Sequence, residues 1–252
     1  MTPKNNIPKK IHYCWFGGKS LPSQAIKCIN SWRKFFPGYE IIEWNESNFD
    51  VDVFEYTCKA YEAKKYAFVS DMARLFILSQ YGGIYFDTDV EVVKPFENII
   101  EKGGYLGIEA SGSEFRVNPG LGFACVKGSP VIGGILDVYK RLTFDETKLK
   151  YCNIVTLTTD FLLKKGLQKI NEVQSIDDIT VYPQDYFNPC DMSTGKIKIS
   201  PNTMSIHHFS ASWVDKGSLL RGRIYRLINR CFGNNTATLV RDVFGKRKHD
   251  RI

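Results

Sequence analysis

Residues 81–89 read YGGIYFDTD, and this stretch decides the fold class. Two glycines end the helical pattern before it, and the apolar residues that follow predict a strand. Alternation with a period of two places one set of side chains on a common face: Ile84, Phe86, Thr88, Val90 and Val92. The opposite face carries the acids, so the strand presents Asp87 and Asp89 at its end.

The spacing of Asp87 and Asp89 indicates a site for a divalent cation bound to a diphosphate. Side chains two residues apart on an extended strand stand roughly 6.5 to 7 Å apart at the backbone. Both can bind one ion only if the strand turns, so we expect a turn near Thr88 or one carboxylate acting through water. Carboxylate oxygens suit Mg²⁺ or Mn²⁺ better than Zn²⁺. The alternative is a pair of solvated acids at the end of a core strand.

The composition is that of a globular protein, and the length is enough to bury a substantial core in one large domain. The 252 residues include seven scattered cysteines without a Cys-x-x-Cys pair, so we expect neither a disulfide framework nor a zinc site. The N-terminus lacks the apolar run of a signal peptide, and no apolar stretch has the length of a membrane span. These features predict a cytoplasmic protein.

The net charge of +7 belongs to the C-terminal segment. Residues 216–252 hold ten Lys or Arg against two Asp, so the chain divides into a folded domain at 1–215 and a basic tail at 216–252. A tail helix would carry its apolar residues on one face: Leu220, Ile224, Leu227, Ile228 and Cys231. Flanked by arginines, this face predicts attachment to an anionic membrane surface, and the alternative is packing on the domain. Aromatic residues are too sparse there to predict a nucleic-acid partner.

The order of predicted elements indicates an α/β fold. Strands at 10–16, 39–44 and 84–92 alternate with helices at 22–35 and 56–80. Strand and helix in alternation predict parallel βαβ units. Further along, the pattern is less regular, with strands expected at 105–109, 123–127, 181–187, 196–199 and 205–209 and helices at 130–142 and 155–165.

Three further groups of residues are candidates for a site. Trp15 ends the first strand, where ligands bind in parallel sheets, and it either stacks on a nucleobase or belongs to the core. Asp71 and Arg74 share one helical face, either as a simple ion pair or as contacts to sugar hydroxyls and phosphate. His207 and His208 are adjacent, and a neutral imidazole is a common metal ligand, although such pairs also occur on plain surfaces.

Four motifs in sequence order resemble a known family. They are IHYCWFGG at 11–18, SDMAR at 70–74, GGIYFDTD at 82–89, and His207-His208 followed by Ser212-Trp213. With these motifs the chain resembles glycosyltransferase family 32, which includes capsular polysaccharide transferases, and more distantly the catalytic domain of the large clostridial glucosylating toxins. The resemblance covers roughly residues 7–130 and 204–213.

The resemblance implies a GT-A type Rossmann-like sheet with flanking helices, a nucleotide sugar donor, and Mn²⁺ or Mg²⁺ as cofactor. It assigns Trp15 to the base, Asp71 and Arg74 to the donor sugar and phosphate, Asp87 and Asp89 to the metal, and Trp213 to the β-phosphate side. His208 stands five residues before Trp213, where the toxins place a metal ligand, so His208 is expected to be the third ligand in preference to His207.

Two further positions follow from the resemblance with departures from the family pattern. Asn118 is expected to face the donor sugar, although Pro119 replaces the small residue that many relatives carry. Asp160 is a candidate for binding an acceptor hydroxyl, and the alternative is a helix N-cap. Many relatives have Thr-Gly-Pro where this chain reads Thr158-Thr159-Asp160.

The expected function is transfer of a hexose or N-acetylhexosamine, with retention, from a nucleotide sugar to a glycan or lipid-linked oligosaccharide acceptor. A UDP-sugar is favoured, and a role in capsular or other surface polysaccharide synthesis would place the enzyme on the inner face of the cell membrane. The main alternative is a catalytically silent protein that keeps the fold and the metal motif for binding. A nucleotidyltransferase would need further acids around a second ion.

Overall fold

The computed structural model describes residues 6–111, 114–148, 153–191 and 194–210, together with Ile224, Leu227 and Asn229. In the first part of the chain the elements are β1 (Lys10–Cys14), α1 (Ser23–Phe35), β2 (Glu40–Trp44), α2 (Glu55–Glu62), α3 (Tyr66–Tyr81), β3 (Gly83–Tyr85) and β4 (Val90–Val92). The three motifs of the N-terminal half lie on β1, on α3, on β3 and in the loops that follow β1 and β3.

The second part of the chain continues the sheet and adds its remaining helices. Its elements are α4 (Glu97–Ile100), β5 (Gly104–Ser111), β6 (Glu114–Val117), β7 (Phe123–Cys125), α5 (Pro130–Tyr139), α6 (Ile154–Lys164), β8 (Gln174–Ile176), β9 (Ile179–Tyr182), α7 (Gln184–Phe187), β10 (Cys190–Asp191), β11 (Lys196–Ile197) and β12 (Ser205–His207). A short 3-10 turn at Pro119–Leu121 precedes β7.

The central sheet has the strand order β2-β1-β3-β7-β5-β9-β8, and β6 pairs with β5 beside it. The strands β2, β1 and β3 run parallel, as the βαβ pattern predicts. In contrast, β7 runs antiparallel to both of its neighbours, and β5 and β9 are again parallel. The α/β class is therefore confirmed, with a mixed sheet in place of a purely parallel one.

Both faces of the sheet are covered, because alternate residues of the central strands enter two separate cores. Tyr85 and Phe123 pack with α3, α5 and α6 on one side. Ile84 and Ala124 pack with α1, α4 and α7 on the other. A strand buried on both faces reads as a nearly continuous apolar run, which explains the sequence around β3.

Two predicted elements are interrupted. The helix expected at 56–80 is split between α2 and α3, because Lys64 takes a left-handed conformation with φ of 57°. The strand expected at 84–92 breaks after β3, and the Val90 N–H donates to the carbonyl of Asp87 at 3.0 Å. This is the turn predicted near Thr88, and it brings the two aspartates of the motif together.

The predicted tail helix lies largely outside the described residues. Ile224 and Leu227, which belong to its expected apolar face, are exposed. Within the part of the chain that the structure describes, no helix combines the length and apolar character needed to cross a membrane.

A buried histidine joins β1 to the residues that precede the acidic motif. The His12 Nε2–H donates to the carbonyl of Gly82 at 3.0 Å, and Nδ1 accepts from the Trp44 indole N–H at 3.0 Å. This arrangement requires the neutral imidazole. Burial lowers the pKa of His12 to about 4, although the hydrogen bond to Gly82 opposes the shift.

The low pKa of His12 predicts a stability that falls in mild acid. Between pH 6.5 and about 4 the unfolded chain binds a proton that the folded chain does not, so the free energy of unfolding should decrease as the pH falls. The loss attributable to His12 is on the order of 3 kcal/mol. Urea denaturation of the parent and of His12→Gln at pH 7.5 and pH 4.5 measures it. If the parent loses no more stability than the variant across this range, His12 is not the source of the acid sensitivity.

Candidate active site

The acidic motif lies where β3 ends, at the same edge as the C-terminal end of its parallel neighbour β1. Asp87 and Asp89 occupy the turn between β3 and β4. Phe86 before them is fully buried, and Val90 after them pairs with His207 of β12. The turn is therefore held on both sides, which fixes the direction of the two carboxylates.

Arg74 links the acidic motif to α3. Its NH2 group lies 3.0 Å from Asp71 Oδ1 and 3.0 Å from Asp87 Oδ1, while NH1 donates to Asp87 Oδ2 at 3.3 Å. Its Nε–H donates to the carbonyl of Ser70. The guanidinium group also lies 4.9 Å from the centre of the Tyr85 ring. Arg74 is almost fully buried, so this is a fixed cation between two carboxylates.

The electrostatics distinguish the carboxylates from one another. Burial raises the pKa of Asp71 to about 6, even though Arg74 opposes the shift. Burial likewise raises the pKa of Asp87 against the charge of Arg74. For Asp89, burial is outweighed by the charge of His207 and by hydrogen bonds from His207 and Ser210, which lower its pKa to about 2. Asp89 is thus firmly ionised.

Asp89 holds the chain segment that follows β12. Its Oδ1 lies 2.9 Å from His207 Nε2, and its Oδ2 accepts from the Ser210 N–H at 2.7 Å. Its carbonyl accepts from the His208 N–H at 3.0 Å. Phe209 has a left-handed backbone with φ of 48° and packs against the His207 ring. The carboxylate therefore organises a loop that is distant in sequence.

The structure corrects the position expected for His208. His208 Nε2 lies 2.7 Å from Glu91 Oε2, and Lys27 pairs with the same carboxylate. His207 points instead toward Asp87 and Asp89. His207 is the last residue of β12 and His208 follows it, and since neighbouring residues of an extended segment face opposite sides, only one of the two can reach Asp87 and Asp89. The structure brings together Asp87, Asp89 and His207, not His208.

These three residues fit a divalent cation. One ligand atom from each of Asp87, Asp89 and His207 lies within 4.8 Å of the others. Two carboxylate oxygens suit Mg²⁺ or Mn²⁺, and the imidazole nitrogen favours the transition ion Mn²⁺ over Mg²⁺. Burial lowers the pKa of His207, but the charges of Asp89 and Asp87 outweigh that effect and raise it. The two carboxylates therefore favour a proton on His207, and a cation bound at this cluster would take the place of that proton.

The geometry predicts unequal effects of the two histidines on metal use. His207→Ala removes a ligand atom from the cluster, so the Mn²⁺ concentration for half-maximal activity should rise about tenfold or more. His208→Ala removes only the contact with Glu91 and should change this concentration little. Titration of nucleotide sugar hydrolysis with Mn²⁺ measures both variants. An equal rise, or a larger one for His208→Ala, would return His208 to the ligand set.

Trp15 lies beyond the end of β1 and is only partly buried. Its indole N–H donates to the carbonyl of Lys19 at 2.5 Å, which fixes the ring against the loop that follows β1. Gly17 and Gly18 have φ of 94° and 66°, and a Cβ at Gly17 would overlap the ring of Tyr66. The loop thus fixes Trp15, which is partly buried and packs against the core that contains α1.

A turn at Asn118–Gly120 closes the site on the side of β5. Asn118 Oδ1 accepts from the Gly120 N–H at 2.7 Å, and Asn118 Nδ2 donates to Glu109 Oε2 at 2.5 Å. A Cβ at Gly120 would lie 2.6 Å from Asp87 Oδ2 and 3.5 Å from Arg74 NH1. Only glycine leaves the space beside these two groups open.

Two expected residues remain, Asp160 and Trp213. Asp160 lies on the exposed side of α6, and the helix is capped by Asn153, whose side chain accepts from the Thr156 N–H. The N-cap interpretation of Asp160 is therefore wrong. Trp213 lies outside the described residues. Sequence reasoning missed Glu109 and Gly120, because a lone acid on a strand and a glycine in a turn carry no signal of their own.

The site combines an acidic turn at the strand ends with a buried arginine, and comparison with known proteins shows what this combination resembles. Residues 22–105 match the family described as glycosyltransferase sugar-binding region containing DXD motif. The chain is a relative of these glycosyltransferases, as the motif resemblance predicts. The match includes Asp71, Arg74 and both aspartates of the motif.

Known proteins with similar sequences belong to bacteria and fungi. Subversion of eukaryotic traffic protein A of Legionella pneumophila is 29% identical over 164 residues, which are 54% of this chain and 25% of that protein. Inositol phosphoceramide mannosyltransferase 1 of Schizosaccharomyces pombe is 28% identical over 107 residues, which are 40% of this chain and 33% of that protein. The matches thus span a third or less of the length of these relatives.

Among solved structures, the PaToxG glycosyltransferase is similar with a TM-score of 0.48 and 21% sequence identity. The similarity covers 64% of this chain and 71% of that one. The family relationship accordingly rests on the sequence matches.

Proposed function

We propose that this chain is a metal-dependent retaining glycosyltransferase that moves a sugar from a nucleotide sugar to a glycan acceptor. The observation that carries the proposal is the Arg74 guanidinium held between Asp71 and Asp87, directly beside the Asp87, Asp89 and His207 cluster. Fixed positive charge next to a candidate cation site is what a departing diphosphate needs.

Arg74 has one donor available for a ligand. A guanidinium group carries five N–H donors. Contacts to Ser70, Asp71 and Asp87 engage Nε, both hydrogens of NH2 and one hydrogen of NH1. The remaining NH1 hydrogen lies near the space that Gly120 leaves open. A phosphate oxygen placed over Gly120 would accept it.

The residues of the chain favour departure of the nucleotide. Charge develops on the diphosphate as the glycosidic bond stretches, and preorganised donors stabilise that charge without reorganisation. A bound Mn²⁺ or Mg²⁺, held by Asp87, Asp89 and His207, would supply further positive charge there. The acceptor hydroxyl attacks from the face that the nucleotide leaves and gives its proton to the departing phosphate, which accounts for retention.

The donor nucleotide is proposed to be UDP, with Trp15 stacking on the base. Its partly buried position just beyond the end of β1 supports this role, and such stacking contributes roughly 1 to 3 kcal/mol per base. Trp213 would contact the β-phosphate side, as the resemblance implies.

The acceptor is proposed to be a glycan or a lipid-linked oligosaccharide in surface polysaccharide synthesis. One relative carries inositol phosphoceramide in its name, so a lipid-linked acceptor has a precedent among the relatives. The exposed Ile224 and Leu227 support a tail that attaches the enzyme to an anionic membrane surface. Such attachment would bring the site to a lipid-linked acceptor.

A panel of nucleotide sugars tests the proposal. The full chain is incubated with UDP-glucose, UDP-galactose, UDP-N-acetylglucosamine or GDP-mannose, with Mn²⁺ or with a chelator, and nucleotide release and the melting temperature are measured. Mn²⁺-dependent release from at least one donor is expected. Stabilisation by a nucleotide sugar without any turnover, including in the presence of glycan acceptors, would favour a binding protein over an enzyme.

A further inference from the structure

We infer that Glu109 contacts the hydroxyl groups of the donor sugar and makes the site selective for a neutral, unsubstituted hexose. This inference rests on the proposed function and narrows it. N-acetylhexosamines and uronic acids would be disfavoured donors.

Glu109 is directed toward the site by its place on β5. Residues two apart on a strand share a face, so Glu109 lies on the face of Gly107. A Cβ at Gly107 would lie 2.9 Å from Phe187 and 3.3 Å from Leu121, so α7 and the 3-10 turn at Pro119–Leu121 cover this face. Glu109 is the next residue of β5 on this face, and its side chain is partly accessible.

A short chain of contacts leads from Glu109 to the acidic motif. Glu109 Oε2 accepts from Asn118, and Asn118 Oδ1 accepts from the Gly120 N–H. The Cβ position at Gly120 lies 2.9 Å from Asn118 Oδ1 and 2.6 Å from Asp87 Oδ2, so both oxygens border the same space. Glu109 and the candidate metal site are therefore neighbours.

The hydrogen bonds of Asn118 and Glu109 show which of their donor and acceptor atoms remain available to a ligand. Both polar ends of Asn118 already have protein partners, which leaves that amide a single free N–H. Among the described residues only Oε2 of Glu109 is hydrogen-bonded, so Oε1 has acceptor capacity for a ligand. The resemblance assigns a contact with the donor sugar to Asn118. We infer that Glu109, which accepts a hydrogen bond from Asn118, contacts the same sugar.

The two carboxylates of Asp71 and Glu109 set the selectivity, since Asp71 contacts Arg74 and Glu109 contacts Asn118 beside the acidic motif. Asp71 and Glu109 accept hydrogen bonds and donate none when ionised. Sugar hydroxyls can donate to both. A uronic acid carboxylate in the same place would set acceptor against acceptor, which a partly buried site rejects strongly. An acetamido group can donate through its N–H, but it also brings a bulky carbonyl acceptor toward the same carboxylates, so it is disfavoured less strongly. A hexose with free hydroxyls satisfies the site.

A purely structural role for Glu109 predicts a different experimental result. The cross-strand neighbour of Glu109 is Arg116 of β6, which is exposed. If Glu109 served only to pair the two strands through Arg116, replacing either residue would have the same effect. Arg116→Ala is therefore the matched control.

The test compares Glu109→Gln and Arg116→Ala with the parent chain. KM and kcat for Mn²⁺-dependent hydrolysis are measured with UDP-glucose, GDP-mannose, UDP-N-acetylglucosamine and UDP-glucuronate, and the affinity for free UDP is measured by calorimetry. Glu109→Gln should raise KM for the neutral hexose donor about tenfold and reduce the preference over the other sugars. The affinity for free UDP should stay within about twofold, since no base or phosphate contact is lost. Arg116→Ala should behave as the parent.

The outcomes separate the inference from the proposed function. If Glu109→Gln hydrolyses the same donors with unchanged KM, or if Arg116→Ala reproduces its effect, the inference is overturned while the proposed function stands. If the parent neither binds nor hydrolyses any of the four donors, the proposed function fails and the inference with it. Should Glu109→Gln not fold, Glu109→Asp retains the charge but retracts it, and the same rise in KM is expected.

Discussion

Replacing Asp89 with alanine is expected to reduce sugar transfer at least about a hundredfold, because the cluster loses a ligand for the cation that assists departure of the nucleotide. The fold should persist, since Asp89 lies in a turn and β4 keeps its pairing with β12. Transfer or hydrolysis assays at saturating Mn²⁺, together with a thermal melt, measure the two effects separately.

The matched control for Asp89→Ala is Glu91→Ala. Glu91 is an acid of the neighbouring strand β4 that contacts His208 and Lys27 rather than the cluster. This variant should retain most of its activity. Near-normal Mn²⁺-dependent turnover in Asp89→Ala would refute the metal assignment, and an equal loss in Glu91→Ala would attribute both effects to disturbance of β4 and β12.

Arg74→Ala is expected to cost both stability and activity. Its removal leaves Asp71 and Asp87 buried without their cation, and breaking a buried ion pair in this way typically costs about 3 to 5 kcal/mol. Arg74→Lys should recover part of the stability but little activity, because one ammonium group cannot contact Asp71, Asp87 and a phosphate with the same geometry. Urea denaturation gives the free energy of unfolding, and nucleotide release gives the activity.

An exposed pair with the same spacing provides the comparison for Arg74. Asp137 and Lys140 also lie three residues apart on a helix, but both are solvent-exposed. Lys140→Ala should cost less than about 1 kcal/mol. If Arg74→Ala is no more destabilising than Lys140→Ala, or if Arg74→Lys is fully active, the guanidinium is not the fixed cation of the site.

Local patterns were sufficient to predict the first half of the fold. The alternation of strands and helices predicted the parallel β2, β1 and β3. The distance between side chains two residues apart on a strand predicted either a turn near Thr88 or a carboxylate acting through water, and the structure has the turn. Both arguments depend on residues close in sequence, where covalent geometry leaves few choices. The break at Lys64 was missed because the sequence has neither glycine nor proline there. The residue that turns the chain and donates to the last turn of α2 is Lys64, a residue type without a preference for turns.

Which residues form the site depends on how strands distant in sequence pair with one another, and local sequence patterns do not determine that pairing. The choice between His207 and His208 is made by the pairing of His207 with Val90 across β12 and β4, and sequence spacing from Trp213 contains no information about that pairing. Glu109 was missed for a similar reason. Glu109 is connected to the acidic motif through contacts of Asn118 and Gly120. These contacts form only when β5, the 3-10 turn and β3 have packed together.

The contact between Asp89 and Ser210 has a consequence for the order in which the protein is made. These residues are 121 positions apart, and His207 comes from the same late segment. As the chain emerges from the ribosome, β1, β2 and β3 can pair long before β12 is available, whereas β4, whose strand partner among the described residues is β12, cannot. Until this late segment has been synthesised, the two aspartates of the motif therefore lack His207, the third residue of the cluster. The nascent domain should acquire its ability to bind a cation in a single late step, when residues 205–210 leave the exit tunnel and the loop closes over Asp89.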